Sequence, residues 1–231
     1  IAPTEEMARM LRHTGVAAEK ITKLCYAVDV EPFRAARAGP APREACIGFL
    51  GQFAPHKGAH VLLEAVAILE SRVPESVEPW SVRIHGEGVE GRHRAYPELL
   101  RRRASSARVT IAPPFEPEDV GRILAGFSCV VLPSLWRENA PLTALEARAA
   151  GIPVIASDVP GLAEIVEPGV HGALFEPGNA RALADLLRAV ILGRIAPRHA
   201  PSQPIGYAEH VAIVAGLHRR AAAGLKHALA T

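Results

Sequence analysis

Residues Ser128 to Ala156 read SCVVLPSLWRENAPLTALEARAAGIPVIA. Two short apolar runs, SCVVL (128–132) and PVIA (153–156), bracket a longer stretch, PLTALEARAAG, with helical periodicity. Strand, helix, strand is the repeating unit of a parallel sheet, because parallel neighbours need a long crossover between them. The alternation continues on both sides. Further strands are expected at CIGFL (46–50), WSVRIH (80–85), RVTIA (108–112) and GALF (172–175). Helices are expected at HVLLEAVAILE, YPELLRRRASS, PEDVGRILAG and NARALADLLRAVI. This pattern predicts an α/β fold, a doubly wound parallel sheet with right-handed crossovers. In such sheets ligands bind beyond the carboxyl ends of the strands, so the loops opening each helix are where chemistry is expected.

Composition narrows the class. A chain of 231 residues is long enough for a core without staples, and with only 5% aromatics that core must be aliphatic. The charge balance, 26 basic against 24 acidic residues, gives no argument for a nucleic-acid partner. The basic cluster from Arg92 to Arg103 reads as a solvated helix face, with peripheral contact to an anionic membrane surface as the alternative. Cys25, Cys46 and Cys129 form an odd, widely spaced set, which predicts reduced thiols in a cytoplasmic protein, two of them in apolar runs and buried. No apolar run approaches the roughly 20 residues that a membrane-spanning helix needs. The chain opens on Ile1 with no signal-peptide pattern, and reads as a fragment or a processed product.

The flanks depart from the βα pattern. TEEMARMLRHTG (4–15) reads as a helix, KITKLCYAVDVEPF (20–33) as a connecting strand and turn, and the stretch after Pro204 as a long final helix. Residues 35–43 and 196–204, rich in proline and alanine, are the softest segments.

GEGVEG (86–91) matches a dinucleotide fingerprint, but follows the second strand and lacks an acidic residue about 20 positions on, so a tight loop is expected. In GFLGQFAPHKGAH, Gly48 and Gly51 allow close approach of backbone to a ligand, and Lys57 stands where the next helix begins. A helix start offers free N–H groups and a positive dipole, which suits phosphate. His56 and His60 lack a third nearby ligand, so no metal site is expected. The aspartates, Asp29, Asp119, Asp158 and Asp185, are too dispersed to form the D-x-D pair that holds a cation against a diphosphate.

Glu138 and Glu146 remain. Pro141 suits a first helical turn, which makes Asn139 or Ala140 the cap and puts the N–H groups of Asn139, Ala140, Leu142 and Thr143 near the helix start. If helical throughout, the two glutamates would lie about 12 Å apart. That is too far for a hydrolytic carboxylate pair, and suits two contacts along one extended ligand. Taken singly, Glu138 could merely complement the helix dipole and Glu146 could be solvated.

Taken in order, GQFAPHKG, HGEGVEG and VVLPSLWRENAPLTALEARAAGIPVIASDVPGLAEIVEPGVHGALFEPGNARALADLL resemble the C-terminal domain of family 4 glycosyltransferases, over about Ile47 to Leu187. The resemblance implies a Rossmann-like domain forming the C-terminal half of a GT-B enzyme. Such enzymes transfer a sugar, with retention, from a UDP- or GDP-sugar donor without an obligatory metal or other cofactor. It implies that Glu138 contacts the donor sugar's hydroxyls, Glu146 the ribose and Lys57 the diphosphate. Gly51, Gln52, Asn139, Ala140, Leu142, Thr143 and Gly161 would line the donor site, with Phe115 near the base. Gln52 stands where the family often has arginine, Pro160-Gly161 where it has a glycine pair, and Ala27 where its linker tends to glycine. The expected division is 1–36, last helix and linker of an N-terminal domain; 37–203, the nucleotide-sugar-binding domain; and 204–231, a helix crossing back to that N-terminal domain. Acceptor contacts would come mainly from the N-terminal domain, and uncovered flanking helices would favour self-association. The competing reading is a non-catalytic module that kept the fold.

Overall fold

The computed structural model describes residues 1–37, 44–72, 79–88, 93–195 and 204–229. Six strands, β1 (Ala45–Leu50), β2 (Trp80–His85), β3 (Val109–Ile111), β4 (Cys129–Leu132), β5 (Val154–Ser157) and β6 (Gly172–Phe175), form one sheet. Eight helices accompany them among the described residues: α1 (Glu5–His13), α2 (Val30–Arg37), α3 (Ala59–Glu70), α4 (Tyr96–Arg103), α5 (Val120–Ala125), α6 (Leu142–Ala149), α7 (Ala180–Ile191) and α8 (Tyr207–Leu229). All neighbouring strands are parallel, in the order β3-β2-β1-β4-β5-β6. The order reverses between β1 and β4, and the diverging loops at that point open a crevice.

Period two along the strands sorts side chains to the two faces. Ile47, Phe49, Val82, Ile84, Val131 and Ile155 pack with α3 and α7. Cys46, Leu50, Val130, Leu132 and Ala156 pack with α5, α6 and the segment around Leu162. Gly48 is glycine for a packing reason: a Cβ there would sit 2.0 Å from the Phe127 ring. Cys46 and Cys129 are buried free thiols, as their apolar runs predict.

The segment read as a connecting strand and turn differs. A helix, α2, starts at Val30, because Pro32 falls in its first turn, where a missing N–H has no helical partner to lose. Phe33 and Val28 then join Leu124 and Phe127 in the core. RVTIA shortens to β3, and PEDVGRILAG splits into a 3-10 turn at Pro117–Asp119 followed by α5. Residues 38–43, 89–92 and 196–203, which include most of the soft segments, half of GEGVEG and Arg92, lie outside the described residues.

Helix α1 is docked rather than free. Thr4 caps it by accepting from Met7 N–H (3.2 Å), and the Glu164 carboxylate accepts from the N–H groups of Glu5 (2.6 Å) and Glu6 (3.0 Å). A carboxylate at a helix N-terminus is favourably placed against the dipole. Helix α8 buries none of its side chains between Tyr207 and Ala223, leaving Tyr207 and Val211 exposed. Arg101 and Arg103 in the last turn of α4 pair with Glu98 (3.7 Å) and Glu64 (2.9 Å). No helix among the described residues is long and apolar enough to cross a membrane.

Candidate functional site

The crevice is built from the loops that follow β1 and β4. After β1, a 3-10 turn, Pro55–Lys57, leads into Gly58, which caps α3 with φ of 73°. A Cβ on Gly58 would lie 1.8 Å from the Pro133 carbonyl oxygen, so the two loops touch backbone to backbone. Leu135 N–H donates to the His56 carbonyl (2.8 Å), and the His56 ring stacks on Trp136 at 3.7 Å between centroids. These contacts carry Lys57 to Glu138. Lys57 Nζ donates to both carboxylate oxygens of Glu138, at 2.8 and 2.9 Å, and Ser134 Oγ donates to Oε1 at 2.6 Å. The Glu138 side chain is 8% exposed and that of Lys57 24%, so the pair is partly withdrawn from water but satisfied by three short contacts.

The backbone of Glu138 is held from behind. Its N–H donates to the Pro160 carbonyl (2.9 Å), and Gly161, at φ of 89°, lies so close that a Cβ would stand 1.8 Å from the Glu138 carbonyl oxygen. Beyond it the helix start differs from the sequence reading. Helix α6 begins at Leu142 with Pro141 as its cap, whereas Asn139 or Ala140 was expected. Ala140 precedes a proline, which disfavours helical backbone there, and it adopts a positive φ of 52° with its side chain buried. The Asn139 amide donates to Tyr26 Oη (3.1 Å), and neither Asn139 nor Ala140 lines the crevice.

The crevice has two adjoining lobes of about 360 and 280 Å³. Leu50, Gly51, Gln52, Leu142 and Thr143 line both. Glu146 and Phe115 border the larger lobe, and Lys57, Ser134 and Glu138 the smaller. The two glutamates therefore occupy opposite ends of one continuous cleft, with the first turn of α6 between them. Gly86 closes the floor by approaching the Gly51 carbonyl, where a Cβ would be only 2.0 Å away. Ser134, Glu87, Pro114, Pro117 and Val120 also line the cleft and were not singled out from sequence. Their signals are weak: Pro114 and Pro117 merely flank Phe115, and Ser134 is a lone serine after Pro133 with no motif of its own.

Burial raises the Glu146 carboxyl above its ordinary value of 4.5, with no compensating cation. Burial, and then Lys57, lower His56 below its ordinary value. For Glu146 the folded-state pKa exceeds the unfolded one, so its contribution favours folding at low pH and is lost as pH rises through the folded value. Glu146→Gln should therefore raise Tm at pH 7, where the buried carboxyl must give up its proton and the amide need not. Calorimetric melts should show the gain vanishing near pH 4. Among the described residues, no group of three or more His, Cys, Asp or Glu could hold a metal ion.

Comparison with known proteins adds independent findings. The family described as glycosyl transferases group 1 matches residues 33–204. The D-inositol 3-phosphate glycosyltransferase of Rhodococcus jostii (strain RHA1) is 36% identical over 216 residues, covering 85% of this chain and 47% of that protein. Its counterpart in Streptomyces avermitilis is 34% identical over 219 residues, covering 85% of this chain and 46% of that protein. The chain thus spans about half the length of the curated relatives it matches. Among solved structures, Anabaena HepE in complex with UDP and glucose superposes with a TM-score of 0.73 at 20% identity, covering 97% of this chain and 62% of that one. Sucrose-phosphate synthase from Thermosynechococcus elongatus gives a TM-score of 0.72 at 22% identity, covering 96% of this chain and 58% of that one. These likenesses show the fold, that of GT-B glycosyltransferases.

Proposed function

The chain belongs to the glycosyl transferases group 1 family, and from that premise we propose that it holds the donor of a retaining glycosyl transfer, a nucleotide diphosphate sugar. One observation carries the reading: a single cleft with Glu146 at one end, the Lys57–Glu138 pair at the other, and the start of α6 between. That order matches the order of groups along a nucleotide sugar. Glu146 accepts from ribose hydroxyls, the Leu142 and Thr143 N–H groups and Lys57 face the diphosphate, and Glu138 accepts from hydroxyls of the sugar. Phe115 borders the Glu146 end, where the base would lie.

The chemistry follows from charge. As the glycosidic bond breaks, negative charge grows on the diphosphate, and a fixed ammonium and helix-start N–H groups stabilise that state more than the ground state. The Lys57 ammonium is bonded to both oxygens of Glu138. A diphosphate must share or displace that contact, and sugar hydroxyls then replace the donors that Glu138 loses. HepE was solved with UDP and with UDP-glucose, which makes these the natural probes here. Calorimetric titration of the chain with UDP, GDP and UDP-glucose should detect binding, with the preferred base shown by the UDP to GDP ratio. Absence of binding by either diphosphate at millimolar concentration would falsify the proposal.

A further inference from the structure

We infer that Tyr26 and Glu6 are positioning residues for the loop that carries Glu138. Residues 137–140 are gripped from two sides. On one side the Glu138 N–H is bonded to Pro160 (2.9 Å). On the other stand two contacts from the N-terminal segment. Tyr26 Oη accepts from Asn139 Nδ2 at 3.1 Å, and Glu6 Oε1 pairs with Arg137 Nη1 at 2.9 Å. Arg137 and Asn139 flank Glu138 directly in sequence, so both neighbours of the carboxylate are tied to residues more than a hundred positions away.

The circuit closes through Glu164. Its carboxylate binds the N–H groups of Glu5 and Glu6, and Lys23 adds an ion pair at 3.4 Å. Glu164 lies three residues after Gly161, on the segment that supports Glu138 from behind. Helix α1 is therefore anchored to the same backing as the loop it holds. The Glu6 side chain, 10% exposed, also pairs with Arg9, which fixes its direction. A loop containing Ala140 at positive φ has a reason to be held, since a non-glycine residue there is strained and persists only when its surroundings over-determine it.

This inference rests on the donor reading for one of its two measurements only. The chain has two tryptophans, and Trp80 is 4% exposed while Trp136, next to Arg137, is 51% exposed. Acrylamide quenching of intrinsic fluorescence therefore reports the loop. In the full chain, Tyr26→Phe and Glu6→Gln should each steepen quenching of Trp136, with Tm lowered by no more than a few degrees. The same variants should weaken UDP binding about 2- to 10-fold, the effect of one lost hydrogen bond. Tyr26→Phe combined with Asn139→Ala should lose no more affinity than either alone, because both remove one contact. Tyr26→Phe removes one hydroxyl and keeps the test alive if Glu6→Gln does not fold. Unchanged quenching in both single variants would overturn the inference whether or not UDP binds. Lack of UDP binding by the unmodified chain would instead count against the donor reading alone.

Discussion

Lys57→Ala should weaken UDP binding by about 1.5–3 kcal/mol, the range for hydrogen bonds to charged groups, or roughly 10- to 150-fold in Kd. The size follows from position. Lys57 is the cation of the smaller lobe, held at the end of a 3-10 turn whose backbone is locked to the β4 loop through Gly58 and Leu135. Its ammonium is preorganised, so little side-chain entropy is left to lose on binding. The substitution has a second consequence. Among the described residues, Glu138, 8% exposed, then keeps only Ser134 as a side-chain donor. Removing one partner of a buried pair costs about 3–5 kcal/mol of stability when no water enters. Lys57 is 24% exposed, so water replaces part of its contact and the loss should fall below that range. Calorimetry gives the affinity and a thermal melt the stability. A lower Tm with unchanged UDP affinity would mean that the ion pair only braces the two loops.

The second large effect is at Gly161. Gly161→Ala should cost about 2–5 kcal/mol of stability, from a strained backbone and an overlap that cannot relax cheaply. Its φ of 89° lies where side chains are rarely tolerated, and the new Cβ would stand 1.8 Å from the carbonyl oxygen and 2.6 Å from the carbonyl carbon of Glu138. Both are backbone atoms, so either the 160–162 turn or the Glu138 loop must move. Either motion breaks the Glu138 N–H bond to Pro160 and displaces the carboxylate from Lys57 and Ser134. Affinity for UDP-glucose should fall with stability. Gly169→Ala is the control: its φ is 79°, but nothing lies within 4 Å of the added Cβ, so only the backbone cost applies. Equal losses at the two glycines would refute the argument from overlap.

Much of the architecture was legible in the chain because its causes are local. Apolar runs such as CIGFL and PVIA, separated by stretches of helical period, mark strands and crossovers whatever the rest of the chain does. Of the residues that the resemblance singled out, Gly51, Gln52, Lys57, Phe115, Leu142, Thr143, Glu138 and Glu146 border the cleft, whereas Asn139, Ala140 and Gly161 do not. The reading of elements failed where local signals conflict. Pro32 read as a turn although a first helical turn accepts it, so α2 was missed. Pro141 read as helical, yet Ala140 before it cannot be, and the start of α6 moved to Leu142.

What the sequence determined by itself was the succession of βα units, the glycines at close approaches and the residue types available at each strand end. These follow from periodicity and backbone sterics within a few residues. Tertiary structure alone decided that β1 lies beside β4, which brings Lys57 to Glu138 across 81 residues of chain. It also decided that Ser134 completes that pair, that Glu146 stands at the far end of the same cleft, and that Tyr26 and Glu6 reach the loop between. Such contacts depend on strand order and on how separate elements pack, and no local pattern encodes a distance through space.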